Sequence, residues 1–239
     1  MATIRNWRDG QPEVAHMSVI RWGGLRPKSF KKGDEGARVL ERLAGFARHA
    51  LQGRKTSDHH KHQNTEQVYY VLSGSGEVLV GDERHSVTTG DAVYLPANAY
   101  HQMFNDDNED WLEHLVIGAK IDGNDGDFKN INWKQVNPVD SGGAVQWRQL
   151  GPEKDGNIGC LQGLQSITRA SVQPDSETAQ QNEKDLEQII YILENQGILI
   201  SEGHEEKITE GDMIHVPPEM VYQIQNPFES WFTYLIIAG

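Results

Sequence analysis

The sequence predicts an all-β protein made of two tandem lobes, and two observations carry that expectation. Short apolar runs alternate with turn signals along most of the 239 residues. Gly81-Asp82, Gly90-Asp91 and Asn105-Asp106-Asp107-Asn108 punctuate the first half, and Glu202-Gly203, Gly211-Asp212 and Asn226-Pro227 the second. Many short strands at that spacing indicate a β-sandwich or barrel. The other observation is duplication. Adding 121 to a residue number lays the first half on the second without a gap: Leu40 on Leu161, Arg48 on Arg169, Glu66 on Glu187, Gln67 on Gln188, Tyr70 on Tyr191, Gly90 on Gly211, Pro96 on Pro217 and Asn105 on Asn226. A constant offset over that span marks a repeat, so the two lobes share one architecture.

Taken in order, residues 1–35 form an N-terminal arm with one strand expected over 16–22, between Asp9-Gly10 and Gly23-Gly24. In a two-lobed protein such an arm commonly crosses to the other lobe or to a second subunit. Residues 36–120 make the first lobe. Within it 37–51 has the apolar period of an amphipathic helix, yet its repeat partner Ser166–Val172 reads as strand. Residues 46–51 are therefore expected to be strand, preceded by one or two helical turns. Residues 68–72 and 92–95 are further strand candidates. Residues 121–155, rich in Gly, Asn and Asp, read as a linker with a strand or arm over 131–136, and 156–239 as the second lobe.

Composition bounds the partners. A net charge of -13, from 22 Lys and Arg against 35 Asp and Glu, argues against nucleic acid. The one basic run, Arg26 to Lys32, is followed by Asp34 and Glu35 and reads as a solvated loop. No apolar run approaches the roughly 18 residues of a membrane helix, and no signal-peptide pattern opens the chain, so a cytoplasmic location is expected. Cys160 is the single cysteine, without an internal disulfide partner, and reads as a small buried side chain.

The chemistry concentrates between His60 and Asn105. His60 and His62 flank Lys61, and alternate residues of an extended chain point the same way. Glu66 and Gln67 follow, on opposite faces of the next strand, and then come Gly90, Pro96, Asn98, His101 and Asn105. This pattern resembles the two motifs of the cupin superfamily. Every spacing of the second motif is met, with Asn98 where the family usually has glycine; both residue types accept a left-handed turn. In the first motif Gln67 stands where the ligating glutamate usually lies. The resemblance implies a bicupin, that is, two tandem cupin (double-stranded β-helix, jelly-roll) barrels. It also implies one divalent transition metal (Fe, Zn, Mn, Ni or Co) held by His60, His62, Gln67 and His101, with Glu66 as ligand instead of Gln67 if the strand slips by one. The matching positions of the second lobe are Gln181, Glu183, Gln188 and Tyr222, which make a degenerate site expected to hold no metal; His204 and His215 do not restore it.

A glutamine in place of a carboxylate leaves the ion its full charge, which favours Lewis-acid chemistry of the isomerase, lyase or cyclase type on a small oxygenated substrate. An O2-dependent dioxygenase and a non-catalytic ligand-binding or structural bicupin are the alternatives. Tyr69 and His114 are the catalytic acid–base candidates, and each also reads as a core residue with a satisfied polar tip. Arg48 reads either as a carboxylate clamp or, through its repeat partner Arg169, as a structural residue. Met103 and Phe104 read as packing residues, and His59 and His85 as solvated. The expected partner is a small-molecule substrate, and an arm that crosses to a second subunit would make a homodimer.

Overall fold

The computed structural model describes residues 2–123 and 126–239. Four main antiparallel sheets make up the chain. In the first lobe a seven-stranded sheet runs in the order Lys129–Asn132, Asp91–Leu95, Thr65–Ser73, Leu112–Lys120, Leu43–Leu51, Val19–Gly23, Pro12–Ala15. It packs on a four-stranded sheet, Glu83–Thr88, Ser75–Val80, His101–Asn105, Lys55–Thr56. The second lobe pairs an eight-stranded sheet, in which Thr3–Asn6 is one edge, with the four strands Ser176–Glu177, Tyr222–Asn226, Gln196–Ser201 and His204–Thr209.

The expected barrels are not formed. Among the described residues no sheet closes on itself: the seven-stranded sheet ends at Lys129–Asn132 on one side and Pro12–Ala15 on the other, and the small sheets keep their own ladders. Each lobe is an open sandwich of a large and a small sheet. The added edge strands explain this, because they extend the large sheet sideways where closure would need it to curl onto the small one.

Three apolar clusters hold the layers together. Val71, Val93 and Leu95 of the seven-stranded sheet meet Val78, Val87 and Met103 of the small sheet inside the first lobe. Ile190, Ile214 and Phe232 meet Leu199, Ile208 and Ile224 inside the second. The third cluster lies between lobes, where Val68, Tyr70, Leu115 and Ile117 pack with Ile167, Tyr191, Leu235 and Ile237. Residues 68–71 are thus buried on both faces of their strand, which is why they read as an unbroken apolar run.

The arms cross. Thr3–Asn6 pairs with Asp212–Val216 of the second lobe, and Lys129–Asn132 pairs with Asp91–Leu95 of the first. Each ends in an Asn that reaches the aspartate of a Gly-Asp turn, Asn6 Nδ2 to Asp212 at 2.8 Å and Asn132 Nδ2 to Asp91 at 2.7 Å. A tryptophan follows each and lies on the turn glycine. A Cβ on Gly90 would come within 2.6 Å of Trp133, and one on Gly211 within 2.6 Å of Trp7, and both glycines are left-handed at φ 91° and 89°. No other residue meets both demands.

Several local expectations are corrected. Residues 16–22 are not one strand, since 16–18 form the tip of a hairpin between Pro12–Ala15 and Val19–Gly23, with His16 and Met17 left-handed. The helical turns before residue 46 reduce to a 3-10 turn, Glu35–Ala37, because Leu43–Leu51 is already strand. The linker strand comes earlier than 131–136, and Trp133–Gln135 is a capped 3-10 turn. Among the described residues no helix is long and apolar enough to cross a membrane.

Candidate metal centre

His60 and His101 exchange both backbone hydrogen bonds, at 3.1 and 2.8 Å, as an isolated bridge between the loop after Lys55–Thr56 and the strand His101–Asn105. That pairing sets their rings side by side, with centroids 4.5 Å apart. His62 joins from the loop, its Nε2 3.2 Å from His60 Nε2. One nitrogen from each of the three lies within 4.8 Å of the others. Asn98 bends the chain just before His101 with φ 63°, the left-handed turn its place in the motif requires.

Hydrogen bonds orient two of the rings. His60 Nδ1 meets the Asp58 carbonyl at 3.1 Å and His101 Nδ1 meets the Ala99 carbonyl at 3.2 Å. A carbonyl only accepts, so each Nδ1 carries the proton and each Nε2 presents a lone pair. Burial, with His60 adding to it, holds His62 down to about 4 and His101 to about 3, which keeps both imidazoles neutral.

Two buried atoms at the site have no protein partner, His101 Nε2 and Gln67 Oε1. The second lobe has the same backbone bridge, Gln181 with Tyr222, but there the Tyr222 hydroxyl donates to Gln188 Oε1 at 3.0 Å. Residues in equivalent places satisfy each other in one lobe and leave lone pairs open in the other. Three imidazoles and an amide oxygen form a donor set that fits a divalent transition metal.

Glu66 is not part of this centre. Its carboxylate accepts from the backbone N–H groups of Gln162, Gly163 and Leu164 at 3.0, 2.9 and 2.6 Å, across the lobe boundary. Glu187 returns the contact to Glu41, Arg42 and Leu43 at 2.8, 3.0 and 2.9 Å, and His215 Nε2 adds a fourth partner at 2.8 Å. Burial raises the Glu66 pKa against the pull of its backbone donors, whereas at Glu187 His215 and the backbone N–H groups outweigh burial and lower it. The arginines are reciprocal too. Arg48 donates to Tyr191 at 2.8 Å and pairs with Glu113, and Arg169 donates to Tyr70 at 3.4 Å and pairs with Glu194. Both are structural ties between lobes.

Tyr69 and His114 lie beside the centre. The Tyr69 ring is 6.1 Å from His101 and 4.8 Å from His114. Met103 packs in the first-lobe core and Phe104 lies under the Arg84 guanidinium. His59 is exposed and stacks on Tyr100; His85, expected to be solvated in a turn, sits in Glu83–Thr88 and stacks on Phe128 at 3.9 Å.

Three residues at the site were not anticipated from sequence. His16, at the hairpin tip, contacts Asp58 at 2.8 Å and stacks on His60 at 4.5 Å. His49 lies opposite His114 in register, with ring centroids 5.4 Å apart. Asp58 precedes His60 by two and so shares its face, which was the one local signal; the other two arrive through long-range pairing.

Residues 48–118 match the cupin domain family. An uncharacterized protein of Methanocaldococcus jannaschii is 37% identical over 46 residues, 19% of this chain and 37% of that protein. One of Streptomyces coelicolor is 39% identical over 62 residues, 26% of this chain and 57% of that protein. The chain thus spans less than two thirds of either relative. Among solved structures, a glyoxylate-induced protein from Pseudomonas aeruginosa superimposes with TM-score 0.80 at 15% identity, over 99% of this chain and 88% of that one. Oxalate decarboxylase from Bacillus subtilis does so with TM-score 0.75 at 13% identity, over 98% and 75%.

Proposed function

We propose that the chain is a two-lobed member of the cupin superfamily whose first lobe carries the histidines, and that it is a metal-dependent enzyme of lyase or isomerase type acting on a small organic acid. The observation that supports this most is the contrast between lobes: Tyr222 and Gln188 close on each other, while His101 Nε2 and Gln67 Oε1 stay unpartnered. The oxalate decarboxylase of like fold supports the substrate class.

His60, His62, His101 and Gln67 would hold the ion. When bound there, a divalent metal supplies Lewis-acid polarisation of a carbonyl or carboxylate oxygen. Gln67 brings no charge, so the centre stays net positive toward an anionic substrate. The surrounding residues handle protons and position. Burial raises the Tyr69 pKa well above the usual phenol range, so its hydroxyl keeps its proton and is available as a hydrogen-bond donor to a substrate. Burial lowers His114 to about 3, so its neutral ring has one nitrogen to donate and one to accept.

The test measures metal content and turnover together. After loading with single divalent ions, His101→Ala is expected to retain at least tenfold less metal than the wild type, on the order of the loss when a ligand shell is broken. Tyr222→Phe is expected to retain it fully; equal loss in both variants sinks the first-lobe assignment. A panel of small hydroxy and keto acids followed by NMR under nitrogen is expected to show metal-dependent conversion. Conversion that requires and consumes O2 would favour a dioxygenase instead, and metal-independent ligand binding without conversion a binding protein.

A further inference from the structure

Six rings close a circuit around the first-lobe centre. From His60 to His101 is 4.5 Å, His101 to Tyr69 6.1 Å, Tyr69 to His114 4.8 Å, His114 to His49 5.4 Å, His49 to His16 5.9 Å, and His16 back to His60 4.5 Å. His60 and His101 occupy one side of this circuit and His114 and His49 the other. The sheet dictates the arrangement. His49 and His114 are register partners on neighbouring strands, and Tyr69 lies on the strand at the other side of His114, one diagonal step away.

The far side is polar, buried and unsatisfied. His114 is 2% exposed, and its Nδ1 is buried without a partner. Tyr69 is 5% exposed and His49 6%. A buried polar atom left open in this way is what a bound ligand would complete. Burial keeps His114 and His49 neutral, and Arg21, the register partner of His49 on the next strand, is engaged by Glu13.

Resting on the metal-centre reading above, we propose that His114, Tyr69 and His49 form a neutral hydrogen-bonding wall that makes the site selective for a monocarboxylic acid bearing a hydroxyl or carbonyl oxygen, over a small dianion. The carboxylate end faces the histidine ligands and the neutral oxygen faces the wall. A second carboxylate there would be desolvated beside a cation, Arg21, that Glu13 already neutralises, which is costly, whereas a hydroxyl or carbonyl is satisfied by one hydrogen bond. A polar site of this kind discriminates strongly, because the wrong ligand leaves buried groups unpaired.

Co(II)-loaded protein titrated with glycolate and with oxalate, by calorimetry and by the cobalt absorption spectrum, tests the proposal without a turnover assay. Glycolate is expected to bind at least tenfold more tightly than oxalate. His114→Phe is expected to weaken glycolate about tenfold at unchanged cobalt content, the scale of one lost buried hydrogen bond. Tyr69→Phe removes a single oxygen and serves the same purpose if His114→Phe does not fold. A wild-type protein that retains no Co(II) overturns the centre and the wall together. One that retains Co(II) yet binds oxalate as tightly as glycolate, or whose glycolate affinity survives both substitutions, overturns the wall alone.

Discussion

His60, His62 and His101 were legible from sequence because their spacing is local and the turn before His101 is fixed by Pro96 and Asn98. His16 and His49 were not. Whether a histidine on one strand meets a histidine on another depends on register, and nothing within 49 or 114 specifies that the two lie opposite. The same burial that hides these rings makes them a liability in acid. His49 and His114 have pKa values of about 2 and about 3 in the folded protein, against 6.5 when free of burial. Above pH 6.5 both states are neutral at these positions and neither ring affects stability. Below it the unfolded chain takes up protons that the folded chain refuses, so stability is lost as pH falls toward 3, by up to about 1.4 kcal/mol per pH unit for each ring. Urea unfolding of metal-stripped protein at pH 7 and pH 5 is expected to show this loss, and His114→Phe to make it shallower. An unaltered pH slope in that variant would mean the ring is not held neutral.

At the scale of elements, the duplicated strands Thr65–Ser73 and Gln188–Glu194 carry at their starts two carboxylates, Glu66 and Glu187, that each clamp a loop of the opposite lobe. The sequence showed the repeat but not this use of it. A glutamate next to a metal-motif glutamine reads as a spare ligand until the facing loop is known. Glu187 is fully buried and satisfies three backbone N–H groups and His215. Replacing it by alanine leaves those donors without an acceptor, and Glu187→Ala is expected to cost about 3–5 kcal/mol in urea unfolding. Metal content in the protein that remains folded should be unchanged; a loss below 1 kcal/mol would show that water replaces the carboxylate freely. The barrel expectation failed at this scale too. The motifs report the inner strands, while the open outline depends on edge strands contributed by Pro12–Ala15 and Lys129–Asn132, whose partners are set at long range.

For the whole molecule, the cluster between lobes joins Tyr70, Leu115 and Ile117 to Tyr191, Leu235 and Ile237 in one continuous core. Neither lobe can lose its fold without exposing the apolar face of the other's large sheet. Thermal unfolding is therefore expected to be a single transition with coincident loss of sheet signal and aromatic environment. Two resolved transitions would mean the interface is weaker than its burial indicates. The crossed arms add a constraint of timing. Residues 3–6 are synthesised well before the strand they pair with, 212–215. During synthesis that segment has to wait unpaired, so it acts as a latch that closes only after the second lobe's strand has been made.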